Sequence, residues 1–315
     1  MTWTLLQILL PVFGLIVLGV YLRKINFMDE AMEKAFNKYC YWIGLPVFIF
    51  VKAAKSAPLN NEVFRTASAL LLVTIGLLIC SLIAAKIIRL PKRSTGTFSQ
   101  ASFRGNLGYV GLPVIAFAFS DSSSDIQIQA NTLAILSMAP AVFVYNLLGV
   151  TVLEWDRRHE REGHPIWACI KSTIRNPLII SCFLGLAWNI LAVPVPLLLE
   201  KVATPISNTA FPLALMAIGA RIAVLNWKKG LAPAIAVSLV KNGAGILLAL
   251  GICRLLGLEG INLLVVLVLS SCPTAVASYV LVDQLDGDRD LAASAIAVTH
   301  VGAVISLATA LWIGL

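Results

Sequence analysis

The sequence predicts an all-α integral membrane protein of ten transmembrane helices, arranged as two inverted five-helix repeats. Three observations predict it. Apolar residues make up 59% of the 315 residues and charged residues only 13%, about half the charged share of a soluble domain. Mean hydropathy is +0.88. Apolar stretches of roughly 17–27 residues, long enough to cross a ~30 Å hydrocarbon layer, succeed one another along the chain. Landmarks in the first half return in the second at a nearly constant offset.

The spans are taken in order. The first, at 4–22, has no basic leader and no small-residue cleavage site, so it reads as a retained helix. The second, at 37–53, carries Pro46, and the third lies at 66–88. The fourth, at 98–119, is interrupted by Pro113, and the fifth runs over 127–153. The segment 154–174 is the longest and most charged connection and reads as a cytoplasmic linker. The sixth span is 175–193, and the seventh, at 199–222, carries Pro212. The eighth, at 231–256, holds Lys241 near its middle. The ninth, at 261–282, is interrupted by Pro273, and the tenth, at 291–314, contains His300. These spans occupy nearly the whole chain and leave no room for a separate soluble domain.

The net charge of +8 does not mark a nucleic-acid binder, because the basic residues sit at span ends. They set orientation instead. With the N-terminus outside, the cytoplasmic loops hold seventeen Lys and Arg, among them Arg23, Lys86, Arg157 and Arg221, against five on the other side. Ten spans then put both termini outside. The cysteines Cys40, Cys80, Cys169, Cys182, Cys253 and Cys272 are scattered in apolar runs, without metal or redox spacing.

Gly19 and Gly185 are 166 residues apart, as are Pro46 and Pro212; Pro113 and Pro273 are 160 apart. Ala130-Asn131 and Ala293-Ser294 are 163 apart. Matches in one order imply an internal repeat. Five spans is an odd number, so the second copy enters from the other side of the membrane. The organisation read from this is a first repeat at 1–153, the linker at 154–174 and a second, inverted repeat at 175–315.

Matched interrupted spans point to a secondary transporter's binding site. Half-helix N-termini expose N–H groups, and half-helix C-termini expose carbonyls. On this reading Gly111, Pro113 and Val114 supply backbone from the first break. Ser270, Ser271, Pro273 and Thr274 supply backbone and hydroxyls from the second. Asn106 and Tyr109 stand one to two turns before Pro113. Lys241 is either an attractor for an anionic substrate or a donor to freed carbonyls. The bland alternatives are kinked helices with packing glycines, and a snorkelling lysine. His300 is a candidate proton carrier or a packing histidine. Asp283 and Asn131 are candidates for gating or coupling. No nucleophile elbow, phosphate loop, zinc motif or paired intramembrane carboxylate argues for an enzyme, and no cofactor is expected.

The run Ser102-Phe-Arg-Gly-Asn-Leu-Gly-Tyr-Val-Gly-Leu-Pro113 and the run Pro273-Thr-Ala-Val-Ala-Ser-Tyr-Val-Leu281 resemble the auxin efflux carrier family. Asp286-Gly-Asp288 followed by Leu291-Ala-Ala-Ser-Ala295 is similar to the start of that family's last helix. The resemblance covers nearly the whole chain. It implies two inverted five-helix repeats, with helices 4 and 9 broken and crossing at Pro113 and Pro273. It implies a permease for a small organic anion, such as a carboxylate, in the inner (plasma) membrane of a bacterial cell. Plant auxin carriers place asparagine after each crossing proline, where this chain has Val114 and Thr274. The partners implied are the organic anion and the bilayer, with a homodimer left open and no nucleic acid. A proton or sodium is the open choice of coupling ion. The alternatives are a sodium-coupled symporter of the bile-acid type and, below it, a channel.

Overall fold

The computed structural model describes residues 2–56, 60–154, 175–226 and 229–315. Apart from Glu154, the expected linker at 154–174 lies outside the described residues, as does Cys169. Helices fall at each expected span. They are α1 (Thr2–Lys24), α2 (Glu30–Tyr39), α3 (Leu45–Ala54), α4 (Asn61–Ile87), α5 (Lys92–Phe103), α6 (Leu112–Ala118) and α7 (Ser124–Glu154). The series continues with α8 (Pro177–Ile190), α9 (Leu197–Val224), α10 (Leu231–Ser238), α11 (Gly245–Leu255), α12 (Gly260–Ser271), α13 (Ala277–Gln284) and α14 (Arg289–Gly314). Among the described residues, π-helical turns at Cys40–Gly44, Leu107–Gly111 and Leu239–Ala244 join α2 to α3, lead into α6, and join α10 to α11. No strand forms among the described residues. Among the described residues, six helices are long and apolar enough to cross a membrane, and shorter apolar helices accompany them. This is a multi-pass, all-helical membrane protein.

The chain forms two compact units, each taking helices from both halves of the sequence. The first comprises the described residues within Met1–Phe64, Gly108–Ala139 and Ile174–Val224; the second, those within Arg65–Leu107, Pro140–Thr173 and Leu225–Leu315. The division passes through α7 at Pro140.

In the first unit, small residues let backbones approach where no hydrophobic effect drives helix pairing in lipid. A side chain at Gly19 of α1 would strike the Met216 backbone of α9, and one at Gly219 would strike Ile16. A side chain at Gly185 of α8 would strike Phe50 and Ala53 of α3. The two contacts are parallel: 166 residues separate Gly19 from Gly185, and 166 separate Met216 from Phe50. Phe48 and Phe211 meet edge to face at 4.7 Å. The Asn189 amide donates to the carbonyls of Ala54 and Ser56 at 3.1 and 3.0 Å. The amphipathic α2 buries Glu33 near Arg221, 3.9 Å away.

In the second unit, α4 keeps Leu72, Ile75, Ile79, Leu82 and Ile83 exposed, an outer apolar stripe suited to lipid. The helix α5 is the reverse case: Lys-Arg-Ser-Thr-Gly-Thr-Phe-Ser-Gln-Ala-Ser-Phe is polar, yet everything from Gly96 to Phe103 is buried. Its polar groups are put to use near its N-terminus. Ser94 donates to the Asp288 carboxylate at 2.6 Å, and Thr97 Oγ1 accepts from the Asp288 N–H at 3.0 Å. Asp288 in turn caps α14 through the Leu291 N–H at 3.0 Å. Gly96 admits the backbone of Val152 and Leu153, which a side chain there would strike.

Candidate functional site: two broken helices joined in the second unit

The helix α5 ends at Phe103, and Arg104 leaves it in an extended conformation. The helix α12 ends at Ser271, and Cys272 turns out of it with ψ 143. The two unwound stretches pair as a short antiparallel bridge between Gly105 and Thr274. The Asn106 N–H donates to the Pro273 carbonyl at 2.8 Å, and the Ala275 N–H donates to the Arg104 carbonyl at 3.0 Å. Each break therefore satisfies the other's backbone, as an apolar surrounding requires. Gly105 is closely surrounded: a side chain there would come within 3.1 Å of the Leu107 side chain and 3.4 Å of the Lys241 Nζ.

The pairing corrects one expectation. The break in the fourth span lies at 104–106, not at Pro113. Pro113 sits inside the helical stretch Leu107–Ala118, where the π turn Leu107–Gly111 runs into α6. Pro273, by contrast, lies inside the ninth-span break, between α12 and α13.

Helix C-termini leave carbonyls without intrahelical partners. At α5, the Ala101 carbonyl accepts from Thr274 Oγ1 at 2.7 Å, and the Phe103 carbonyl accepts from Lys241 Nζ at 3.4 Å. At α12, the Ser271 carbonyl accepts from Ser306 Oγ at 3.0 Å and from the Asn242 amide at 3.5 Å. The Asn242 amide also donates to Ser306 Oγ at 3.1 Å. Two adjacent residues, Lys241 and Asn242, thus serve the C-terminal ends of both broken helices. Both belong to the π turn Leu239–Ala244. Lys241 is fully buried, at 0% exposure, and makes no ion pair among the described residues. Thr299 on α14 completes the frame by accepting the Thr274 N–H at 3.0 Å.

Several buried polar groups have no hydrogen-bond partner among the described residues. They include the Asn106 amide nitrogen, the hydroxyls of Ser270 and Ser271, and both amide atoms of Gln100. Unpaired buried donors call for a ligand or water.

The structure thus gathers Asn106, Lys241, Ser270, Ser271, Pro273 and Thr274 in one unit. Tyr109, Gly111, Pro113, Val114 and Asn131 belong to the first unit. There Gly111, Pro113 and Val114 are buried and Tyr109 is half-buried. Asn131 donates to its own helix at the Gln127 carbonyl, 2.6 Å away. Asp283 forms a 2.6 Å ion pair with Arg289 across the turn between α13 and α14. His300 is buried. Its Nδ1 lies 2.7 Å from the Ile296 carbonyl, so Nδ1 carries the proton there, and Nε2 has no partner among the described residues. Sequence reasoning missed Gly105, Thr299 and Ser306. Only Gly105 had a signal, its place beside Asn106 in the polar break.

The described residues thus form helices with long apolar spans, and two broken helices repair one another around a buried lysine. A family model described as "Membrane transport protein" matches residues 4–313, and the chain belongs to that family, the auxin efflux carrier family. The chain is similar to an uncharacterized transporter of Methanocaldococcus jannaschii, 24% identical over 314 residues, covering 98% of each chain. It is also similar to an uncharacterized transporter of Methanothermobacter thermautotrophicus, 24% identical over 308 residues, covering 96% of this chain and 95% of the relative.

Proposed function

We propose that the protein is a secondary carrier that moves a small organic anion, such as a carboxylate, across the plasma membrane by alternating access. The observation that carries this reading is Lys241, a buried ammonium at the paired breaks with no carboxylate beside it among the described residues. An intramembrane ammonium costs about 2.5–3.5 kcal/mol or more unless its surroundings compensate it. Here it neutralises carbonyl ends that would otherwise repel an anion. What the break then offers a substrate is donors: the Asn106 amide and the hydroxyls of Ser270 and Ser271. The N-terminal end of α13 adds its partial positive charge beyond the break. Thr274 and Pro273 hold the backbone frame.

The proposed topology is ten spans in two inverted repeats, 1–153 and 175–315, with both termini outside the cytoplasm. The matched contacts of Gly19 with Met216 and Gly185 with Phe50 support the repeat. Two separately compact units suit alternating access.

The test is counterflow in proteoliposomes preloaded with mono- and dicarboxylates of two to five carbons. Saturable exchange of a radiolabelled carboxylate is expected, weakened at least tenfold by Asn106→Leu. Exchange of cations or neutral solutes alone, with none of any carboxylate, would sink the reading.

A further inference from the structure

The meeting of two helix C-termini is a cation site by its chemistry. Each end carries about half a negative charge, so two together approximate one. Carbonyls and hydroxyls at broken intramembrane helices are also the ligand type that holds alkali cations in coupled carriers. In this chain the Phe103 and Ser271 carbonyls are the last of their helices, and the donor that reaches Phe103 carries a full positive charge. Its neighbour Asn242 supplies the uncharged donor to Ser271. The ammonium stands 3.4 Å from where a side chain at Gly105 would begin, so it lies against the paired backbone itself.

We infer that Lys241 is a built-in cation: its ammonium takes the place at the paired breaks that a bound sodium ion would take, and the carrier works without sodium there. The inference rests on the proposed reading of the protein as an organic-anion carrier, because it assigns that carrier's coupling. A tethered charge cannot be released on one side of the membrane and taken up on the other. The anion therefore crosses with no alkali cation bound at the break. A second consequence is structural. Removing the ammonium uncovers carbonyls at two negative helix ends, and a small cation can then enter.

The test measures thermal unfolding of the purified full chain, without substrate, in sodium, lithium, potassium or choline chloride at one ionic strength. The wild-type protein should unfold at one temperature in all four salts. Lys241→Met, of similar length without donors, should unfold several degrees lower in choline and recover saturably in sodium or lithium. Lys241→Arg should resemble wild type. Should Lys241→Met fail to fold in choline, Lys241→Gln keeps the neutral comparison, and folding of Lys241→Met in sodium alone counts for the inference. Two results overturn it: saturable stabilisation of the wild type by sodium over choline, or neutral variants that no alkali cation stabilises. The readout needs no transported substrate. Sodium-independent stability without carboxylate exchange would therefore remove the proposed function and leave the lysine's role standing.

Discussion

Thr274→Val isolates the hydrogen bond that fastens one break to the other. Valine matches threonine in shape and changes only the hydroxyl, which donates to the Ala101 carbonyl at 2.7 Å in a fully buried setting. The Thr274 N–H keeps its bond to Thr299 at 3.0 Å, so the backbone frame loses one tie and not two. Stranding a buried acceptor costs about 1–3 kcal/mol. Hydrogen bonds between membrane helices measure lower, ~0.6 kcal/mol on average and up to about 1.7. The expected loss is therefore about 1–2 kcal/mol. One kcal/mol moves unfolding by roughly 2–4 °C in a domain of ~150–250 residues, so a drop of a few degrees is expected. Thr274→Ser retains the donor and should stay near wild type. Thermal unfolding of the three proteins in one detergent makes the comparison. If valine and serine both unfold with wild type, the hydroxyl does not hold the break, and the polar frame around Lys241 loses one of its supports.

Two further outcomes can be checked at once. Burial pushes the Glu33 carboxyl above its usual range, against the pull of Arg221 and Arg23. The folded chain then holds a proton that the unfolded chain has released. Stability should fall as pH rises from the ordinary carboxylate range through the folded value, and Glu33→Gln should flatten that fall in thermal unfolding from about pH 4 to 8. Pro273→Ala restores an N–H inside a break and should reduce uptake far more than Pro113→Ala, which changes a position inside the helical stretch Leu107–Ala118; equal losses in the proteoliposome assay would restore Pro113 to the crossing.

How much was legible in the sequence depends on the physical origin of each signal. Helix positions were readable, and six of the described helices are long and apolar enough to cross a membrane, because apolar length answers to bilayer thickness, whatever the neighbours. Lys241 was readable because an intramembrane charge is costly anywhere. Pro273 marked its break correctly, since proline cannot donate to a continuing helix. Pro113 misled because a proline can also sit inside a helix beside a π turn, and no local feature separates that from a break. Gly105 had only its place beside Asn106 as a signal, because its bridge to Thr274 and its contact with Lys241 join residues more than a hundred positions apart. Thr299 and Ser306 read as ordinary helix residues until their partners at Thr274 and Ser271 are known. The division into two units was likewise out of reach, because each unit draws on both halves of the chain and rests on long-range packing.

The two proposed repeats share contacts more closely than they share charge. Gly76 of α4 admits Leu248 of α11, and Gly245 of α11 admits Leu77 of α4. These two glycines stand 169 residues apart, as do the bridge partners Gly105 and Thr274. At that offset Lys241 and Asn242 correspond to Leu72 and Val73, of which Leu72 is exposed on the apolar outer stripe. One half therefore supplies the donors for both broken helices. Both donors lie, buried, in the π turn at Leu239–Ala244, which has no counterpart in the continuous α4. π turns often mark functional sites. A symmetric pair of breaks would need two ammonium groups, and their repulsion at close quarters would exceed what two helix ends can offset. One lysine balances the two ends, and it leaves the Asn106 amide and the Ser270 and Ser271 hydroxyls as donors for a substrate.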